Sequence, residues 1–296
     1  MDKNLLHGTH TALITPMQDG DVNYTDLSNL LEKQLKGGVS GVVPCGTTGE
    51  SPTLLENEHL QVIKETVGHV DGAVPVIAGT GANSTKEALA LTKKADDLGA
   101  NAFLLVAPYY NKPSQEGLYA HFSAIADITE KPIVLYSIPS RCGIEISTST
   151  VLRLREKYPN ICALKEAGGK SSKVSETVSQ IDDDFIVLSG DDGLTLPFMA
   201  CGAKGVISVA SNIIPEVVTL LVSLFNQGKL NEAKKLHLTN YSFFTDLFCE
   251  PNPVPIKTLM HLKGLISSPE VRLPLCPPSS KSFDIVEKMA ANLTIS

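Results

Sequence analysis

The chain has 296 residues, enough for one large domain or two ordinary ones, and its 43% hydrophobic and 19% charged content excludes a disordered chain. A formal net charge of −7 argues against a nucleic-acid binder, which would show a basic face. Met1–His10 carries no apolar leader and no apolar run reaches spanning length, so the expected setting is cytoplasmic, without a membrane partner.

Short apolar runs alternate with helix-length amphipathic stretches. The first run is Ala12–Ile14. The second, Gly41–Pro44, leads into "CGTTGE" (Cys45–Glu50). The third, Val74–Ala78, precedes Thr85–Leu98, where Ala88, Leu91, Ala95 and Leu98 recur at helical spacing. The fourth, Ala102–Val106, ends at "APYYN" (Ala107–Asn111), and the fifth, Ile133–Tyr136, opens the loop that holds Arg141. The sixth, Ile161–Leu164, runs into Lys165; the seventh, Phe185–Leu188, into "SGDDG" (Ser189–Gly193); the eighth is Gly205–Val209. Several are entered through a glycine that ends the preceding helix, as in "KGGVSGVV" and "ACGAKGVISV".

Eight continuously apolar runs, each followed by a helical stretch, suit parallel strands covered on both faces. They predict an α/β fold, a (β/α)8 TIM barrel over residues 1–225. A doubly wound sheet would carry fewer strands, and no GxGxxG follows the first. Helical stretches at Pro215–Asn226, Leu230–Phe248 and Pro255–Leu262 and a Pro-rich passage near Pro274–Pro278 then predict a C-terminal helical extension over 226–296.

In such a barrel the chemistry sits at the C-terminal strand ends. Lys165 stands at the end of an apolar strand, where burial disfavours its ammonium and frees an amine able to attack a ketone. The plainer alternative is a lysine whose head reaches solvent or pairs with a carboxylate. Glu166 is adjacent and should face the other way. The glycines and threonines of "GTTGE" suit a cradle for a carboxylate, or equally a loop that caps a helix. Tyr136 offers a hydroxyl at the rim and Arg141 a fork for a carboxylate, against a satisfied aromatic and a surface ion pair. Tyr109 and Tyr110 suit an interface patch. The six scattered cysteines form no CxxC and the seven histidines no HxH or HExxH, so no metal site is expected.

Taken together, "ITPM" (Ile14–Met17), "GTTGES", "PVIAGTGAN" (Pro75–Asn83), "PYYNKPSQEG" (Pro108–Gly117), "YSIPSR", "LKEAGG", "LSGDD", "GVISV", "EPNPVPIK" (Glu250–Lys257) and "VRLP" (Val271–Pro274) resemble the dihydrodipicolinate synthase family, also called 4-hydroxy-tetrahydrodipicolinate synthases, of the pyruvate-dependent class I aldolases. The resemblance implies condensation of pyruvate with L-aspartate 4-semialdehyde through a Schiff base on Lys165, without metal or organic cofactor. It implies that Tyr136 gives and takes protons, in a relay with Thr47 and with Tyr110 reaching in from a neighbouring subunit of a dimer or homotetramer. By the same resemblance Thr48 holds the pyruvate carboxylate, Arg141 binds that of the semialdehyde, and Gly190 and Ile207 line the pyruvate pocket. It also places an L-lysine inhibitor among Ser51, His59, Asn83, Glu87 and Tyr109. Ser137 and Cys142 stand where the family often has asparagine and threonine, and Pro52 and Glu56 depart from some lysine-sensitive members.

Two other readings compete. A sister aldolase acting on a sugar acid or sialic acid would keep Lys165 and Tyr136 but lack Arg141 and Tyr110 in these contexts. A barrel retained only for binding would show losses among the relay residues.

Overall fold

The computed structural model describes residues 5–294; the outermost ends of the expected 1–225 and 226–296 division lie outside the described residues. Eight parallel strands form the centre. They are β1 (Gly8–Ala12), β2 (Gly41–Val43), β3 (Ile77–Gly79), β4 (Ala102–Val106), β5 (Ile133–Ser137), β6 (Ile161–Glu166), β7 (Ile186–Ser189) and β8 (Gly205–Ser208). Each pairs with its neighbours in sequence and β8 returns to β1. A bridge between Val42 and Val76 joins β2 to the approach of β3 and closes the ring.

The helices between the strands start where small polar side chains take up the first free backbone N–H groups. Asn23 caps Tyr24–Lys36, Ser84 caps Thr85–Asp97, Ser114 caps Gln115–Ala126 and Ser147 caps Thr148–Lys157. Alternation along the strands then divides the core in two. Ala12, Val43, Ile77, Leu104, Val134, Tyr136, Ala163, Leu188 and Ile207 fill the barrel, closed from below by Leu6. Val42, Phe103, Leu105, Leu135, Leu164 and Val187 face outward onto the helices.

The first strand differs from expectation: it is Gly8–Ala12, not Ala12–Ile14. Thr9, His10 and Thr11 are polar, so no apolar run marks them, yet all three are buried. Thr11 Oγ1 donates to Gln34 Oε1 at 2.7 Å, which satisfies a hydroxyl on the helix-facing side. Leu13 and Ile14 have already left the strand, and Ile14 N–H donates to Asn212 Oδ1 at 3.1 Å.

Beyond the barrel helix Pro215–Asn226, three helices follow, Leu230–Asp246, Val254–Leu262 and Ser280–Asn292. The first packs over the turn Asp192–Leu194 that follows β7, and the other two pack on each other. No helix among the described residues is long and apolar enough to cross a membrane.

Candidate active site

Lys165 faces the barrel interior because of one irregularity. Between β5 and β6 the register passes from Ile133 opposite Ile161 to Val134 opposite Ala163. Cys162 is the extra residue of a bulge, and Cys162 and Ala163 both point inward. Without it, simple alternation from the outward Ile161 would place Leu164 inside and Lys165 outside. With it, Tyr136, Lys165 and Leu188 lie level across three strands.

Lys165 is 6% exposed. Burial pushes its ammonium down to about 7; nearby Asp192 opposes the shift and Arg141 adds to it. The Nζ atom lies 4.1 Å from the centroid of the Tyr136 ring. Burial likewise pushes the Tyr136 phenol up to about 12, opposed by a hydrogen bond with the Thr47 side chain and by the Arg141 charge. Near neutral pH the site thus holds an amine partly free to attack beside a protonated phenol able to donate.

Thr47 and Thr48 ride on a tightly held turn. Cys45 and Glu50 bracket it with left-handed backbones, both at φ 55°. Gly79 is needed below it, since any Cβ there would lie 2.2 Å from the Cys45 carbonyl oxygen. Glu50 is buried and accepts from Lys257 Nζ at 2.7 Å and from the Arg272 N–H at 3.0 Å. Lys257 also donates to the Thr15 carbonyl at 2.9 Å. Asn252 donates through Nδ2 to Thr48 Oγ1 at 2.9 Å, while its carbonyl accepts from Arg141 at 3.3 Å. The C-terminal segment thereby ties together two groups expected to hold carboxylates. Sequence reasoning assigned no role to Glu50, Asn252, Lys257 or Asp192. "EPNPVPIK" was a motif of the resemblance, but its link to the "GTTGE" turn spans about two hundred residues and leaves no local mark.

The other expected groups converge unevenly. Gly190 lies against the lysine stem: a Cβ there would meet Lys165 Cε at 3.1 Å and Ala167 Cβ at 2.7 Å. Ile207 is buried in the barrel interior. Arg141 is exposed at the rim, on the single helical turn Pro139–Cys142. Ser137 and Glu166 face outward as alternation predicts. Ser137 Oγ accepts from Ile146 N–H at 3.3 Å, and Glu166 Oε1 from Gly168 N–H at 2.6 Å. Burial pushes the Glu166 carboxyl up to about 7.

Within one chain Tyr110 does not join Thr47 and Tyr136. It is 88% exposed, at φ 72°. Beside its segment is a cleft of roughly 400 Å³ lined by Ser51, Pro52, Glu56, His59, Glu87 and Tyr109 among others. Asn83 stands at its edge, donating to the Tyr109 carbonyl at 3.3 Å and accepting from Asn111 at 2.9 Å. His59 is buried with Nε2 2.8 Å from the Gly79 carbonyl. The Glu56 carboxylate is paired with Lys94.

A sequence profile of the Dihydrodipicolinate synthetase family matches residues 5–293. The 4-hydroxy-tetrahydrodipicolinate synthase of Sulfurihydrogenibium sp. is 51% identical over 285 residues, covering 96% of this chain and 97% of that one. The structure of the corresponding synthase from Methylacidiphilum fumariolicum SolV superposes with a TM-score of 0.95 at 49% identity, covering 97% and 95% of the two chains. A structure of dihydrodipicolinate synthase from Cyanidioschyzon merolae with lysine bound gives a TM-score of 0.94 at 37% identity over 98% and 99%.

Proposed function

This chain belongs to the dihydrodipicolinate synthetase family, and on that premise we infer how its residues carry the family's reaction. The protein is a lyase of the class I aldolase type. It condenses pyruvate with L-aspartate 4-semialdehyde through a Schiff base, the 4-hydroxy-tetrahydrodipicolinate synthase step of diaminopimelate and lysine biosynthesis.

Lys165 supplies the amine. It adds to the ketone carbon of pyruvate; the carbinolamine hydroxyl then takes a proton, leaves as water, and a protonated imine remains. Loss of a methyl proton gives the enamine, whose carbon attacks the aldehyde while the aldehyde oxygen gains a proton. The semialdehyde's amine then adds to the imine carbon and expels Lys165, which closes the ring. Tyr136, hydrogen-bonded to Thr47, is the group in reach of these protons. Thr48 and the backbone of its turn receive the pyruvate carboxylate, Gly190 and Ile207 leave room for it, and Arg141 takes the second carboxylate at the rim.

Tyr110 completes the relay of a neighbouring copy, which makes the working unit at least a two-fold pair. Its exposure supports that reading. L-lysine inhibits from the cleft beside Tyr109, where Glu87 meets its ammonium; the neighbouring Tyr109-Tyr110 segment then carries the effect to the relay.

One observation carries the mechanism: a lysine 6% exposed whose amine rests on the ring of a buried tyrosine. Borohydride with pyruvate should add one pyruvate-derived group, mapping to Lys165. Labelling elsewhere, or none, would sink the Schiff-base assignment.

A further inference from the structure

Asn252 lies just before the helix Val254–Leu262, is 5% exposed, and has no task in the mechanism above. It is held on two sides. Further along the helix, Lys257 donates to Glu50 at 2.7 Å, and Glu50 closes the turn that carries Thr48. The Asn252 carbonyl accepts from Arg141 at 3.3 Å. Its side-chain amide donates through Nδ2 to Thr48 Oγ1 at 2.9 Å, and Thr48 is itself buried. The other end of the amide, Oδ1, is buried without a hydrogen-bond partner.

A hydroxyl has one proton to give, and its partner decides where that proton points. Thr48 Oγ1 accepts from Asn252, so its own O–H is left to donate elsewhere. A carboxylate accepts and cannot donate. A chain from amide N–H to threonine hydroxyl to carboxylate therefore runs in one direction, and each bond polarises the next. The opposite setting of the amide would place Oδ1 against Thr48. It would take up the hydroxyl proton and turn an oxygen lone pair toward the anion. Since Oδ1 has no bond of its own, no competing contact dictates that second setting. Only the observed one suits an anion at Thr48.

We propose that Asn252 is a positioning residue for the first substrate, one that aims the Thr48 hydroxyl proton at a carboxylate and so favours a 2-oxo acid over a ketone without an acid group. The proposal rests on the reading that Thr48 receives the pyruvate carboxylate. It adds that the preference is set through the amide of a residue far along the chain, and not by Thr48 alone.

The test compares borohydride labelling of Lys165 by pyruvate with labelling by acetone, a ketone that carries no carboxylate. In Thr48→Val the ratio of the pyruvate rate to the acetone rate should fall about tenfold. Asn252→Ala keeps the backbone carbonyl that Arg141 uses, and should lower the ratio about threefold to tenfold. The double variant should fall no further than Thr48→Val, because both changes act on one hydroxyl. A general disturbance of the site would slow both ketones together and leave the ratio unmoved. A folded Asn252→Ala protein with the wild-type ratio, beside a lowered ratio in Thr48→Val, would overturn the proposal alone. So would a double variant that falls by the product of the two single effects. A wild-type ratio in Thr48→Val would bring down the reading of Thr48, and the proposal with it. A second measurement needs no variant. Trapping pyruvate on Lys165 of the wild-type protein should move the Nδ2 proton signals of Asn252 downfield in the NMR spectrum, since the anion polarises the amide through the hydroxyl. Unmoved signals would also overturn the proposal.

Discussion

His10 is fully buried inside the barrel, in the one strand that apolar patterning misplaces. Its ring nitrogens make no hydrogen bond of good geometry, only weaker approaches to the Leu6 and His7 backbone. Space is tight, since a Cβ on Gly41 would lie 2.4 Å from His10 Nδ1. Burial pushes the imidazole down to about 4 from an ordinary 6.5. Between those values the unfolded chain binds a proton that the fold refuses, so stability falls as pH drops from 6.5 to 4. The loss from this residue is about 3 kcal/mol. Urea midpoints at pH 7 and pH 4.5 should therefore differ less in His10→Val than in the wild type; equal differences would mean that the folded protein accommodates a charged His10. At the rim, Arg141→Ala should leave pyruvate labelling of Lys165 largely intact. It should cost about 2 kcal/mol, or roughly 30-fold, in kcat/KM for aspartate semialdehyde. Normal turnover of the semialdehyde would remove Arg141 from that role.

Two features decide the site at the level of elements. One is the bulge at Cys162, which turns Lys165 inward. The other is the pair Glu50–Lys257, each side chain fully buried, which clamps the threonine turn to the C-terminal helix Val254–Leu262. Replacing Lys257 with Met strands the Glu50 charge with the Arg272 N–H as its remaining partner, and should cost about 3–5 kcal/mol. Adding Glu50→Gln should recover part of that loss in denaturant midpoint; a double variant no more stable than Lys257→Met would show that the pair is not the clamp. These features also mark where sequence reasoning stops. Most strands were legible because a parallel strand covered on both faces must be apolar throughout. β1 was not, because its buried threonines satisfy their hydroxyls on the helices that cover the strand, Thr11 on Gln34 and Thr9 on the Val218 carbonyl. Lys165 was legible as the polar end of an apolar run, but its inward direction depends on a single-residue bulge with no signature in composition. Thr47, Thr48, Tyr136 and Arg141 were read in part from residue type and in full from family resemblance. Asn252 and Lys257 act across more than two hundred residues of chain, where no periodicity reaches.

At the scale of the whole molecule, the rim groups do not all converge on one site of the single chain. Lys165, Tyr136 and Thr47 meet within one chain, whereas Tyr110 faces outward from the segment Tyr109–Asn111. Mixing Tyr110→Phe subunits with Lys165→Ala subunits should restore part of the activity that each lacks, because one site of a mixed pair holds both intact residues. Proven exchange of subunits without rescue would mean that each site is built within a single chain. On the proposed reading, in which Tyr110 completes a neighbour's site, its outward pose bears on supply and demand in the cell. When two copies must meet to finish a site, the population of finished sites in dilute protein grows with the square of the amount made. In that regime, halving synthesis cuts output to about a quarter. Flux through the step would answer to gene dosage more steeply than that of an enzyme complete in one chain.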